Sequence, residues 1–158
     1  MNGDIRHKLP ANTSIFSAEL WAIYQAVQTI MDLDIFRSVI FSDSKSALEA
    51  LCNPQGIHCN YIIYYIKKAF YEIQKQGKSV TLFWVPAHVG IPGNEAADLA
   101  AKDAAINGFK PPFRVPYEDM LAESTAQAKR QSVESMKVVS AIKGTLYYEN
   151  FYSQSKHT

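Results

Sequence analysis

An α/β fold is predicted by three features of the chain. Two short apolar runs with polar flanks, Arg37 to Asp43 (RSVIFSD) and Ser79 to Val85 (SVTLFWV), read as buried strands of a parallel sheet. Segments with helical spacing precede the first run and separate it from the second. An alanine-rich stretch then follows behind a Gly/Pro loop, and the order strand, helix, helix, strand, helix is that of a crossover unit.

The N-terminal residues hold a hairpin signal, Asn2-Gly3, after which Ile5 to Leu9 is expected to be a strand that Pro10 ends. A hairpin turn needs a strand before it, and only Met1 precedes this one, so the chain is expected to begin inside a sheet. Ser14 or Ser17 then caps a helix running to about Met31, with Leu20, Ile23, Tyr24, Val27, Ile30 and Met31 on one apolar face. Glu19 falls in its first turn, at the margin of that face beside Ile23, where a carboxylate is partly screened from water. Stabilising the helix dipole is the competing role.

Asp43 stands where the first central strand ends and a helix from Ser44 to Cys52 begins. In open α/β sheets ligands bind outside the carboxyl ends of strands, which gives an acid there a functional reading beside that of a helix cap. A turn at Asn53 to Gly56 leads to a helix from Asn60 to Gln76, whose broad apolar surface includes Tyr61, Tyr64, Tyr65 and Tyr71. Its rings suit base stacking, but core packing with the phenolic oxygens at solvent is the preferred reading.

After Trp84-Val85 the chain is stopped by Pro86 and stiffened by Gly90, Pro92 and Gly93. Asn94 is expected to cap the next helix, with Asp98 in the first turn or just beyond and His88 on the loop ten residues upstream. Acids near helix starts and loop histidines are also ordinary structural features. Beyond Gly108, Lys110-Pro111-Pro112 makes a stiff linker, and Tyr117 to Ala141 is polar and helix-favouring. The organisation is therefore a domain over residues 1–108, then a linker and helical C-terminal extension over residues 109–158.

Composition bounds the chemistry. The chain has 158 residues, 47% apolar, enough for a core and inconsistent with disorder. Its formal charge of +1 means that contact with a polyanion needs a local patch. Two cysteines are too few for a disulfide scaffold, and Cys52, His58 and Cys59 lack the fourth ligand of a structural zinc site. No apolar run reaches membrane-spanning length and no signal core is present, so an intracellular location is expected, nucleus or cytoplasm undecided.

The stretch HVGIPGNEAADLAAKDA (88–104) resembles the last motif of the type 1 ribonuclease H family. SIFSAELWAI (14–23) and VIFSDSKSAL (39–48) resemble two earlier motifs, in the family's order. Within the family the likeness is to domains at the C-terminal end of non-LTR retrotransposon polyproteins, and it spans roughly residues 5–108. It implies a ribonuclease H-like mixed sheet with flanking helices, to which this chain adds a C-terminal helical extension. Further implications are two magnesium ions, manganese being an alternative, an RNA–DNA hybrid as the substrate, and a reverse transcriptase module upstream.

By that resemblance Glu19, Asp43 and Asp98 are metal ligands and His88 is the family's mobile loop histidine. Ser44, Lys45 and Asn94 become contacts to the nucleic-acid backbone by neighbourhood, with cap or surface roles as the alternative. Hydrolysis of a phosphodiester needs a nucleophile, neutralisation of phosphoryl charge and help for the leaving oxygen, and two cations about 3.5–4 Å apart supply all three. Clustered carboxylates are the hard ligands magnesium takes, and without cations they repel one another.

One departure stands out. The family has a fourth acid on its first strand, which Asp4 in the Asn-Gly turn does not match, so the resemblance implies a sheet whose first strands are missing. A non-catalytic remnant that binds nucleic acid or a protein is the alternative function. A transposase or integrase of related fold is opposed by the early Glu and the late His…Asp motif.

Overall fold

In the computed structural model of the chain, residues 4–54 and 60–141 are described. The first helix, α1 (Ile15–Asp32), starts where Ser14 turns its side chain back to accept from the Ser17 amide at 3.1 Å. Ser14 is thus the cap, and Ser17 is buried. Glu19 consequently lies in the second turn, one turn later than its expected place. The amide of Ser14 itself donates to Asp119 Oδ2 at 2.9 Å, a second anchor supplied from far along the chain.

Strands β1 (Arg37–Ser42) and β2 (Ser79–Trp84) pair in parallel, with Arg37 opposite Ser79 and Ser42 opposite Trp84. Between them run α2 (Lys45–Cys52) and α3 (Tyr61–Lys75), the crossover expected of this order. α1 and α3 pack on each other and reach β1 and β2 respectively. Leu20 and Val27 of α1 and Ile62 and Ile66 of α3 are the fully buried centre of the core, and Ile40 closes it from the sheet. Burying a side chain of this size contributes about 1.5–3 kcal/mol.

Both strands were expected to be buried. The observed pair is covered on one face alone: Ile40 and Ser42 point inward, whereas Val39, Phe41 and Phe83 are about half or more exposed. The cause is the layering, because α1 and α3 lie on the same side. The antiparallel strands of a mixed sheet are not among the described residues, which contain its parallel pair.

The expected strand Ile5 to Leu9 is reduced to one parallel bridge, His7 to Phe109. Phe109 gives its amide to Arg6 O and takes that of Lys8, at 2.9 and 2.8 Å. Pro10 and Pro111 both follow this parallel bridge and stop the ladder at its C-terminal end, because proline has no amide proton to give. The Asn2-Gly3 turn, His58 and Cys59, and residues 142–158 lie outside the described residues.

The fourth helix, α4 (Pro92–Asn107), begins two residues before Asn94, with Ile91 in the cap position and no side-chain cap bond. Proline fits the first helical position because its ring presets the backbone angle and its missing amide proton has no partner there anyway. Asn94 is therefore inside the first turn, and its amide is free for another task.

Two compact units, Met1–Asp119 and Met120–Thr158, make up the chain. The first takes in the Pro-rich segment, where Phe113 sets its ring edge-on to Trp21 at 5.1 Å and Tyr61 donates to Arg114 O at 2.6 Å. The last helix, α5 (Tyr117–Ser140), ends within a residue of its expected limit. No helix among the described residues is long and apolar enough to cross a membrane.

Candidate active site

Three elements carry the candidate acids. β1 delivers Asp43 at its carboxyl end, α1 presents Glu19 from its second turn, and α4 presents Asp98 from its own second turn. Burial pushes the Glu19 carboxyl above its ordinary value, and the charges of Asp43 and Asp98 push it further in the same direction. The three acids thus share one electrostatic neighbourhood although 79 residues separate the first from the last.

Asp43 is held from two sides. The Asn94 amide donates to Asp43 Oδ2 at 3.0 Å, and the Trp84 indole donates to the Asp43 carbonyl oxygen at 3.2 Å. Asp43 does not cap α2; its side chain faces α4, and Ser44 takes the cap position without a side-chain bond. Ser44 is half-buried, its amide bound to Ser42 Oγ at 3.2 Å. Lys45 is exposed, with Glu49 one turn on at 3.7 Å.

The loop before α4 brings the histidine in. His88 and Gly90 both take positive φ, +55° and +78°, and the Gly90 amide donates to Glu95 Oε1 at 3.4 Å. For histidine this left-handed backbone is strained by roughly 1–2 kcal/mol, which the surrounding contacts must offset. His88 Nδ1 then lies 3.1 Å from Asp98 Oδ2.

Among the described residues, His88, Glu95 and Asp98 are the set whose ligand atoms all lie within 4.8 Å of one another; Glu19 and Asp43 stand outside it. Asp98 Oδ2 is shielded from solvent, and its approach to His88 is close without being a hydrogen bond. An oxygen left in that state suits a divalent cation, as does a donor set rich in carboxylates. Asp4, the other acid near the N-terminus, is paired with Arg6 at 3.1 Å.

The sequence model of the RNase H family matches residues 2–106. The chain belongs to the RNase H family. No curated relative matches it. The matched span takes in Glu19, Asp43, Glu95 and Asp98 and ends in the C-terminal turn of α4.

Two residues of this candidate site escape a reading of the sequence. Glu95 is three residues before Asp98, a spacing that puts both on one helix face, so its signal was present once the helix start was known. Trp84 has no such signal. It reaches Asp43 because the strand register sets it opposite Ser42, the residue before Asp43.

Proposed function

We propose that the chain is a metal-dependent endonuclease that hydrolyses the RNA strand of RNA–DNA hybrids. The observation that carries the reading is the family match over the span that holds Glu19, Asp43 and Asp98. It is supported by the Asn94–Asp43 bond that ties α4 to the end of β1, and by the charges of Asp43 and Asp98, which add to burial in pushing the Glu19 carboxyl up. Acids in that relation destabilise each other unless positive charge joins them. Glu19, Asp43 and Asp98 are the proposed ligands of two divalent ions, magnesium in the first place and manganese as the alternative. Such ions, when bound, make water a nucleophile at neutral pH, neutralise the phosphoryl oxygens and support the leaving oxygen.

The chain's own residues position the rest. Asn94 occupies one oxygen of Asp43 and leaves the other for a cation, and Trp84 fixes the strand end from which Asp43 projects. His88 turns Nδ1 toward Asp98, which leaves Nε2 to carry a proton to or from the departing product. Ser44 and Lys45 are proposed contacts to the hybrid's sugar–phosphate backbone, and Lys45 is exposed enough to swing toward a phosphate. Glu95, beside His88 and Asp98, is a further candidate for holding a cation while product leaves.

The proposed origin is a non-LTR retroelement in which a reverse transcriptase module precedes this domain. Support comes from the likeness of the three motifs around Glu19, Asp43 and Asp98. The test is cleavage of a hybrid labelled on its RNA strand, with and without magnesium. Metal-dependent shortening of the RNA is expected; an intact RNA strand in both magnesium and manganese would refute the activity.

A further inference from the structure

α3 divides into two faces of different chemistry. Ile62, Ile63, Ile66, Ala69 and Ile73 are buried in the core, so the tyrosines are not needed there. Tyr64, Lys68, Tyr71 and Lys75 recur at helical spacing and all four are exposed, Tyr64 at 64% and Tyr71 at 58%. At about 100° per residue they fall within roughly 60° of arc, in a stripe about 16 Å long. Preferred core packing therefore fails for these rings, and they stand in water beside cations.

The alternation selects the kind of partner. A protein-docking helix face has a contiguous apolar centre from which lysine is depleted, and here lysine alternates with tyrosine. Aromatic faces two turns apart, with one ammonium group between them and another beyond, suit a chain that alternates flat bases with phosphates. Lys75 already sits 5.2 Å from the Tyr71 ring centroid, so one ring and one cation are held together. Lys67 flanks the stripe with its ammonium given to Asn53 O, and half-buried Glu72 flanks the other side. Tyr65, Tyr61 and Tyr24 extend the rings toward α1, with centroids 5.6 Å from Tyr64 to Tyr65 and 6.2 Å from Tyr65 to Tyr24.

We propose that the Tyr64–Lys68–Tyr71–Lys75 stripe of α3 is a docking track for a single-stranded polynucleotide, separate from the acid cluster. Its end lies near the proposed site, since Asn60, just before α3, donates to Ser17 Oγ on α1 at 2.9 Å, two residues before Glu19. The track binds through rings and lysines and needs no divalent ion.

The test measures binding of a fluorescein-labelled 12-nucleotide single-stranded RNA of mixed sequence to the full chain in EDTA, by anisotropy at several salt concentrations. EDTA removes the acid cluster from the measurement, so failure here leaves the hydrolase reading standing. Tyr64→Ala/Tyr71→Ala is expected to weaken binding about tenfold or more, and Tyr64→Phe/Tyr71→Phe to keep it. Lys68→Gln/Lys75→Gln is expected to lower the slope of log K against log salt by about 1.4. Each pair is exposed, and circular dichroism checks that α3 persists. Unchanged affinity in the tyrosine-to-alanine pair, or equally tight binding of a 12-base-pair duplex, would overturn the proposal.

Discussion

Asn94 joins two elements of the RNase H fold: from the first turn of α4 its side-chain amide donates to Asp43 Oδ2 at the end of β1, 3.0 Å away. The bond exists because Pro92, not Asn94, starts the helix. Asn94→Ala is expected to lower hybrid cleavage by about 10- to 100-fold, the usual cost of removing a partner that orients a metal ligand. Asn94→Asp should cost more, since it sets a second carboxylate against Asp43. Single-turnover rates on labelled hybrid check both.

Glu19 predicts a pH dependence of stability. Its folded value is raised above the ordinary 4.5, chiefly by burial. The fold therefore favours the protonated form: this contribution to stability is complete below 4.5 and is lost as pH rises through the raised value. Without divalent ions, Glu19→Gln should melt higher than the parent at pH 7 and match it at pH 4. Magnesium should raise the melting temperature of the parent more than that of the variant.

A histidine–tryptophan pair ties the N-terminal segment to α1. Trp21 Nε1 donates to His7 Nδ1 at 3.0 Å, and desolvation lowers the His7 value from 6.5. The accepting nitrogen must be unprotonated, so the bond is present above 6.5 and is lost as pH falls through the lowered value. In a Trp84→Phe background, Trp21 fluorescence is expected to titrate below pH 6.5, and His7→Gln should abolish that transition.

Gly108 is a point of close backbone approach. A Cβ there would meet Ala104 O and lie 2.8 Å from Lys8 N and 3.0 Å from Arg6 O, atoms that cannot swing aside as a side chain would. Gly108→Ala is expected to cost about 1–3 kcal/mol, the range for overpacking, and to break the bridge between His7 and Phe109. Urea unfolding measures the first and amide exchange at Phe109 the second.

Much of this was legible in the residues. The parallel pair, the crossover helices and the order of Glu19, Asp43 and Asp98 follow from apolar runs and motifs, because periodicity records which face a segment buries. What failed depended on tertiary placement. Proline competes with asparagine for a helix start, so the cap on α4 was misassigned and the Asn94–Asp43 bond went unseen. Phe41 and Phe83 look like core residues in sequence, yet their rings pair 5.9 Å apart on an uncovered sheet face. Tyr64 and Tyr71 of α3 fail likewise: four isoleucines and Ala69 fill the buried face, which no count of apolar residues could decide.

The account rests on Glu19, Asp43 and Asp98 acting as one unit, and single-turnover hybrid cleavage by Glu19→Gln, Asp43→Asn and Asp98→Asn measures that most directly. Each variant is expected to lose more than about a hundredfold in rate at saturating magnesium, since a missing ligand costs more than a missing orienting partner. The double variants should lose little further, as groups that act together do. Folded variants that cut the RNA strand at the parent rate, or losses that simply multiply, would contradict a shared metal site.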